Sequence, residues 1–154
     1  MRVQGDAILV PGNPFPDLDL DLVIGKRVLK ILFPGRSGGK WSFLLFYCSS
    51  SCPVCCQQLV DFQKMIREGR NGNVRVLAAC GDDREQVMKT MWDLKISFPV
   101  AYGVDAARSN GGTWAVHDDE GSSIHPAGFL IDPEGKIANA FRGSGQCFPA
   151  GFVP

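Results

Sequence analysis

The apolar run Phe43-Leu44-Leu45-Phe46-Tyr47 ends in the small-residue turn Ser49-Ser50-Ser51, and Cys52-Pro53-Val54-Cys55 follows at once. A short apolar run bounded by a turn reads as a buried strand. Pro53 suits the first turn of a helix, where its missing N–H removes no bond. The two cysteines therefore stand where a strand hands over to a helix. The first N–H groups of a helix lack internal acceptors and carry partial positive charge. A thiolate held there is stabilised, and its pKa drops from about 8.5 into a range that reaches roughly 3.5–7.5. Two cysteines at this spacing can also close into a disulfide and reopen. The stretch is a candidate redox centre.

The other four cysteines are Cys48, Cys56, Cys80 and Cys147. A structural disulfide framework would spread its cysteines to join distant segments. Clustering at one strand-to-helix junction favours redox or metal chemistry instead. The chain has 154 residues, enough for one domain with a real core, and a single domain over 1–154 is expected. Lys plus Arg and Asp plus Glu balance at 16 each, so no basic excess points to nucleic acid and no acidic block to a tail. No apolar run approaches the roughly 20 residues of a membrane span. The N-terminus lacks the long apolar stretch of a signal peptide, which predicts a cytoplasmic protein.

Residues 1–18 read as an extended lead-in, because Pro14 and Pro16 exclude a helix. Strands are expected over 19–24 and 27–33, joined by a turn at Gly25-Lys26. The glycine-rich segment 34–40 superficially suggests a phosphate loop. Its Gly35 and Gly39 are one residue too close, and Trp41 follows Lys40, so it is a turn. A helix is predicted over 53–67 with Leu59, Phe62 and Ile66 inward. A strand over 74–80 follows, then a helix over 84–95 opened by Asp82 and Asp83, with Val87, Met91 and Leu94 inward. Residues 98–102 are extended, and 105–115 hold a short helix. A hairpin runs over 128–132 and 136–141, and 143–154 is an irregular tail. The fold class is α/β: a central mixed β-sheet flanked by helices.

These residues resemble the thioredoxin fold, and within it the peroxiredoxin-like branch of the alkyl hydroperoxide reductase and thiol-specific antioxidant family. Three segments carry the resemblance: Gly12 to Leu18, Phe46 to Leu59, and His125 to Ile137. It implies a thioredoxin-like fold, here lacking the usual C-terminal helix, so that a partner subunit in a homodimer is one way to cover the core. It also implies an antioxidant oxidoreductase of cell redox homeostasis that needs no cofactor. By the resemblance Cys55 takes the place of the peroxidatic cysteine, and Cys52 that of the Thr or Ser three residues earlier. Pro126 takes the place of a cis proline lying against the disulfide. Ordinary peroxiredoxins carry an activating Arg there, and this chain does not. That departure favours disulfide exchange over peroxide reduction.

Two orders of attack stay open. The thioredoxin pattern makes Cys52 the attacker and Cys55 the resolver. The peroxiredoxin pattern makes Cys55 the attacker, with Cys52 or Cys147 resolving. The acceptor is a protein disulfide or a hydroperoxide, and electrons come from a thioredoxin- or glutathione-like donor. Cys48, Cys56 and Cys80 read as packing residues. Tyr47 and Trp114 could line the site but read as core, and 117–120 is a solvated loop. One alternative is a copper or zinc carrier. Cys52 and Cys56 have the spacing of thioredoxin-fold copper chaperones, and His125 precedes the hairpin as theirs does. Another is a redox-inactive interaction module.

Overall fold

The computed structural model describes residues 11–15, 17–35, 39–47, 52–104 and 127–142. Seven strands and two helices are described: β1 (Leu18–Ile24), β2 (Arg27–Phe33), β3 (Ser42–Phe46), α1 (Pro53–Arg67), β4 (Arg75–Ala79), α2 (Arg84–Leu94), β5 (Val100–Tyr102), β6 (Ala127–Ile131) and β7 (Ile137–Arg142). They form one sheet in the order β2-β1-β5-β4-β3-β6-β7. β3 pairs β4 and β4 pairs β5 in parallel, and the other pairings are antiparallel. Parallel neighbours need a crossover, and α1 and α2 supply the two. This is the mixed α/β sheet that the sequence predicts. The strand expected over 74–80 is trimmed by one residue at each end, and the helix expected over 84–95 stops at Leu94. The predicted helix over 105–115 and the tail over 143–154 lie outside the described residues.

The central strand β3 is buried at every position from Ser42 to Phe46. A strand covered on both faces needs no polar alternation, which is why its sequence is a continuous apolar run. Its alternate residues feed two cores. Phe43, Leu45 and Tyr47 join Cys55, Leu59, Phe62, Val87 and Met91 on the face that carries both described helices. Leu44 and Phe46 join Phe15, Phe33, Phe129 and Ile137 on the other face. Phe129 sits between Phe15 (centroids 5.4 Å) and Phe46 (6.0 Å, edge-on). Of the lead-in, residues 11–15 and 17 are described, and backbone bonds tie them to the hairpin. Gly12 N–H donates to Ile137 at 2.8 Å, Phe15 N–H to Gly135 at 2.9 Å, and Ile137 N–H to Asn13 at 2.8 Å.

Leu59 and Phe62 of α1 are buried as predicted, and Phe62 stacks on Phe43 at 5.0 Å. Ile66, also expected inward, is only partly buried at the margin of that core. A feature absent from the apolar pattern fixes the helix sideways. The buried Gln63 donates to Ser97 Oγ at 2.8 Å and accepts from Ser97 N–H at 2.7 Å. That bond ties α1 to the segment leaving α2. Asp83 caps α2 by accepting the Gln86 N–H at 2.8 Å, and Lys95 ends it in the left-handed conformation.

Candidate functional site

The chain folds so that the ends of β3 and β4 and the start of α1 meet. Cys52 has extended backbone angles and is the N-cap of α1, with Pro53 opening the first turn. Its carbonyl accepts the Cys56 N–H at 3.0 Å, the first bond of the helix. Its Sγ accepts the Cys55 N–H at 3.4 Å. The sulfur therefore occupies the place that a Ser or Asp oxygen takes in an ordinary cap. A thiolate accepts such an N–H more strongly than a thiol, because the bond becomes charge-assisted. The helix end thus favours the reactive form of Cys52.

The sulfurs differ in access. Cys52 and Cys56 are half-buried, whereas Cys55 and Cys80 are wholly enclosed. All four are reduced thiols in this structure. Cys55 packs among the apolar residues beneath α1, with Cys52 at the margin of the same core. The sequence predicts both sulfurs at the helix mouth, and both are there. It also predicts both to be accessible from outside, and for Cys55 that is corrected: the residue is wholly enclosed beneath α1, and Cys52 alone of the pair is partly exposed.

The sequence places Tyr47 in the core, and it is buried. Its hydroxyl is nonetheless part of the site. Tyr47 follows β3 and Cys80 follows β4, so the two lie side by side, with Tyr47 N–H on the Ala79 carbonyl at 3.0 Å. Burial raises the phenol's pKa far above its usual value of 10, and the neighbouring Cys80, then Asp82 and Cys56, act in the same direction. The folded state therefore keeps this proton where the unfolded chain loses it. Stability is unaffected below pH ~10 and falls above it by about 1.4 kcal/mol per pH unit. Denaturant midpoints measured from pH 9 to 11 check this. Tyr47→Phe should flatten the part of the alkaline decline that Tyr47 causes.

Arg75 is the described guanidinium held most firmly. Its Nε donates to Ser42 Oγ at 2.9 Å, its Nη2 donates to the Pro34 carbonyl at 3.2 Å, and its charge lies 5.4 Å from the centre of the Phe33 ring. Burial lowers its pKa. It stands at the starts of β3 and β4, about five residues or roughly 16 Å of strand from the cysteine end. It is therefore no substitute for the activating Arg that the resemblance calls for.

His125, Pro126, Cys147, Cys48 and Trp114 lie outside the described residues. The expected cis proline, the resolving role of Cys147 and the metal set Cys52, Cys56 and His125 consequently have no geometry to set beside them. Among the described residues, no three His, Cys, Asp or Glu side chains are grouped as metal ligands would be. Nor is any described helix long and apolar enough to cross a membrane.

Residues 11–140 match the family described as the AhpC/TSA family. A peroxiredoxin of Thermotoga maritima is 29% identical over 132 residues, which cover 82% of this chain and 59% of the relative. This chain thus spans about three fifths of the length of that curated relative. Among solved structures, Enterococcus faecalis AhpC superposes with a TM-score of 0.77 at 20% identity, covering 92% of this chain and 86% of its own. A yeast mitochondrial 1-Cys peroxiredoxin, described with glutathione and thioredoxin systems, gives 0.73 at 23% identity, covering 92% and 70%. Both structural likenesses concern the thioredoxin-like fold.

Proposed function

Because the chain belongs to the AhpC/TSA family, we propose that it is a thiol-dependent peroxidase in which Cys52 and Cys55 cycle between dithiol and disulfide. The observation that carries the reading is the cap: a reachable sulfur on the open end of α1, three residues before an enclosed one. Cys52 attacks one oxygen of a hydroperoxide. The O–O bond breaks, Cys52 becomes a sulfenic acid, and the alcohol leaves with a proton. Cys55 then attacks the oxidised sulfur, water departs, and the disulfide closes. An external thiol of the thioredoxin or glutathione type returns the two electrons. Pro126 shapes the substrate side, and the chain acts as a single domain in the cytoplasm. The mixed Cys-Pro-Val-Cys character also supports exchange with a protein disulfide.

The family match favours a second order of events. By the resemblance Cys55 stands at the peroxidatic place, and Cys52 then resolves. Access favours Cys52 first, since an incoming peroxide meets that sulfur without any opening of the helix.

The test is kinetic. Reduced protein is mixed separately with hydrogen peroxide and with a small disulfide, and thiol loss at Cys52 and Cys55 is followed. Peroxide should oxidise the pair far faster than it oxidises an unstructured thiol. Equal rates with peroxide would remove the peroxidase reading, and equal rates with both oxidants would remove the redox reading altogether.

A further inference from the structure

The two edges of the sheet are finished differently. Along β7 the lead-in occupies both the N–H and the carbonyl of Ile137, and the ladder shifts register between Leu130 and Ile131. Asn139 Oδ1 also accepts the Ala140 N–H at 3.0 Å. Such devices keep a foreign strand off an edge. β2 has no covering segment and no bulge, and it runs in unbroken register with β1 from Arg27 to Phe33. Its loop is the two-residue Gly25-Lys26, with Gly25 at φ +61°, so the flanking pair Ile24 and Arg27 is a hydrogen-bonded one. Bonded pairs then recur at every second position. The N–H and C=O groups of Val28, Lys30 and Leu32 therefore point away from β1, and among the described residues nothing bonds them.

The side chains beside these groups are apolar on both faces. Leu29 and Ile31 stand next to Leu22 and Leu20 on one face, and Val28 and Leu32 stand on the other. Val28 is 42% exposed, Leu29 38% and Leu32 52%. A strand added here sets its own side chains against these, so it needs apolar residues on both of its faces. Its charge is constrained too. Lys30 is already paired with Asp21 at 2.8 Å, so the edge calls for no acidic partner. β2 itself meets both requirements, and a chain with 16 basic and 16 acidic residues does not repel its copy.

We propose that two copies of this chain join at their β2 edges, antiparallel across a two-fold axis at Ile31. A two-fold perpendicular to the sheet pairs like face with like face, so it centres on a single residue. Centred on Lys30 it would set two ammonium groups opposite each other, which is destabilising. Centred on Leu29 it would leave Leu32, the most exposed apolar residue of the strand, opposite Lys26 in the turn. Centred on Ile31 it sets Leu29 against Phe33 of the second copy, and Leu32 beneath the aliphatic stem of the second copy's Lys30. The open groups of Lys30 then bond those of Leu32 in the second copy, and the reverse. β2 lies four strands from β3, or roughly 19 Å, so the seam leaves the cysteine end open. A single edge is a small interface, so the association is reversible and depends on concentration.

The experiment uses the full chain, under a reductant so that no native cysteine links the copies. Sedimentation equilibrium from roughly 1 µM to 1 mM should show a monomer–dimer equilibrium. Leu32→Lys sets a new ammonium against Lys30 of the second copy, on both sides of the axis. It should weaken association by on the order of tenfold, with unchanged far-ultraviolet dichroism. Ile31→Cys reads the register. Cα atoms in a non-hydrogen-bonded pair lie about 4.5 Å apart, within reach of a disulfide. Mild oxidation of that variant should therefore join position 31 to its own copy, as found by peptide mass spectrometry, while Leu29→Cys gives no such self-link. A chain that stays monomeric leaves its edge to another protein's strand and overturns the proposal. So does a dimer that Leu32→Lys fails to weaken, or a self-link through Leu29→Cys in place of Ile31→Cys.

Discussion

Cys52→Ser abolishes peroxide-dependent turnover, by on the order of 10³-fold or more, while leaving the helix in place. The separation of the two effects follows from the cap. Cys52 Sγ accepts the Cys55 N–H, and serine is among the best residues for that task. The variant therefore keeps the first turn of α1 and loses only the nucleophile. Unchanged far-ultraviolet dichroism and an unchanged or higher unfolding midpoint are expected beside the lost activity. Cys55 needs a different substitution. It is wholly enclosed, so a serine there would bury a hydroxyl at a cost of about 1–3 kcal/mol. Cys55→Ala avoids this. It should react with peroxide and stop short of turnover, with a trappable sulfenic acid on Cys52. The opposite pattern, with no trappable sulfenic acid on Cys52 in Cys55→Ala and one mapped to Cys55 in Cys52→Ser, would make Cys55 the attacker and overturn the order proposed here.

The strands and helices were legible because their signals are local. A run of five apolar residues marked β3, Pro53 marked the start of α1, and the Gly135 turn marked the β6–β7 hairpin. The alternation of strand and helix pointed to a mixed sheet, whereas its order β2-β1-β5-β4-β3-β6-β7 rests on long-range pairing that no local signal carries. The site was legible in its sequence positions and not in its access. Spacing places Cys52 and Cys55 at one helix end. Which of them faces water depends on how α1 lies on the sheet, and that is fixed by distant contacts such as Phe62 on Phe43 and Gln63 on Ser97. Gln63 carried no sequence signal, since a glutamine on an otherwise apolar helix face looks like a boundary residue. Tyr47 was hidden for the opposite reason. Its ring belongs to the core, and its hydroxyl becomes part of the site only because the parallel register brings Cys80 alongside.

Phe129→Ala should lower stability by about 3–5 kcal/mol, the largest loss expected from one core truncation here. Phe129 is fully buried in the middle of β6, opposite Leu44 of the central strand. Its ring touches Phe46, which belongs to that strand, and Phe15, which belongs to the lead-in. Removing it opens a void between three elements that are each fixed by other pairings. β6 is locked by β3 and β7, and the lead-in is locked to the hairpin by backbone bonds. The surroundings therefore cannot collapse into the space, which places the cost toward the upper end of the range. Leu32→Ala makes the contrast. That side chain is 52% exposed on the edge strand β2, so the same kind of truncation removes little burial and should cost well under 1 kcal/mol. Urea unfolding of the two variants reads both values from their midpoints. If Phe129→Ala shifted the midpoint no more than Leu32→Ala, the second core would not be the rigid support of the central strand, and the cysteine end of β3 would owe its position to the helix face alone.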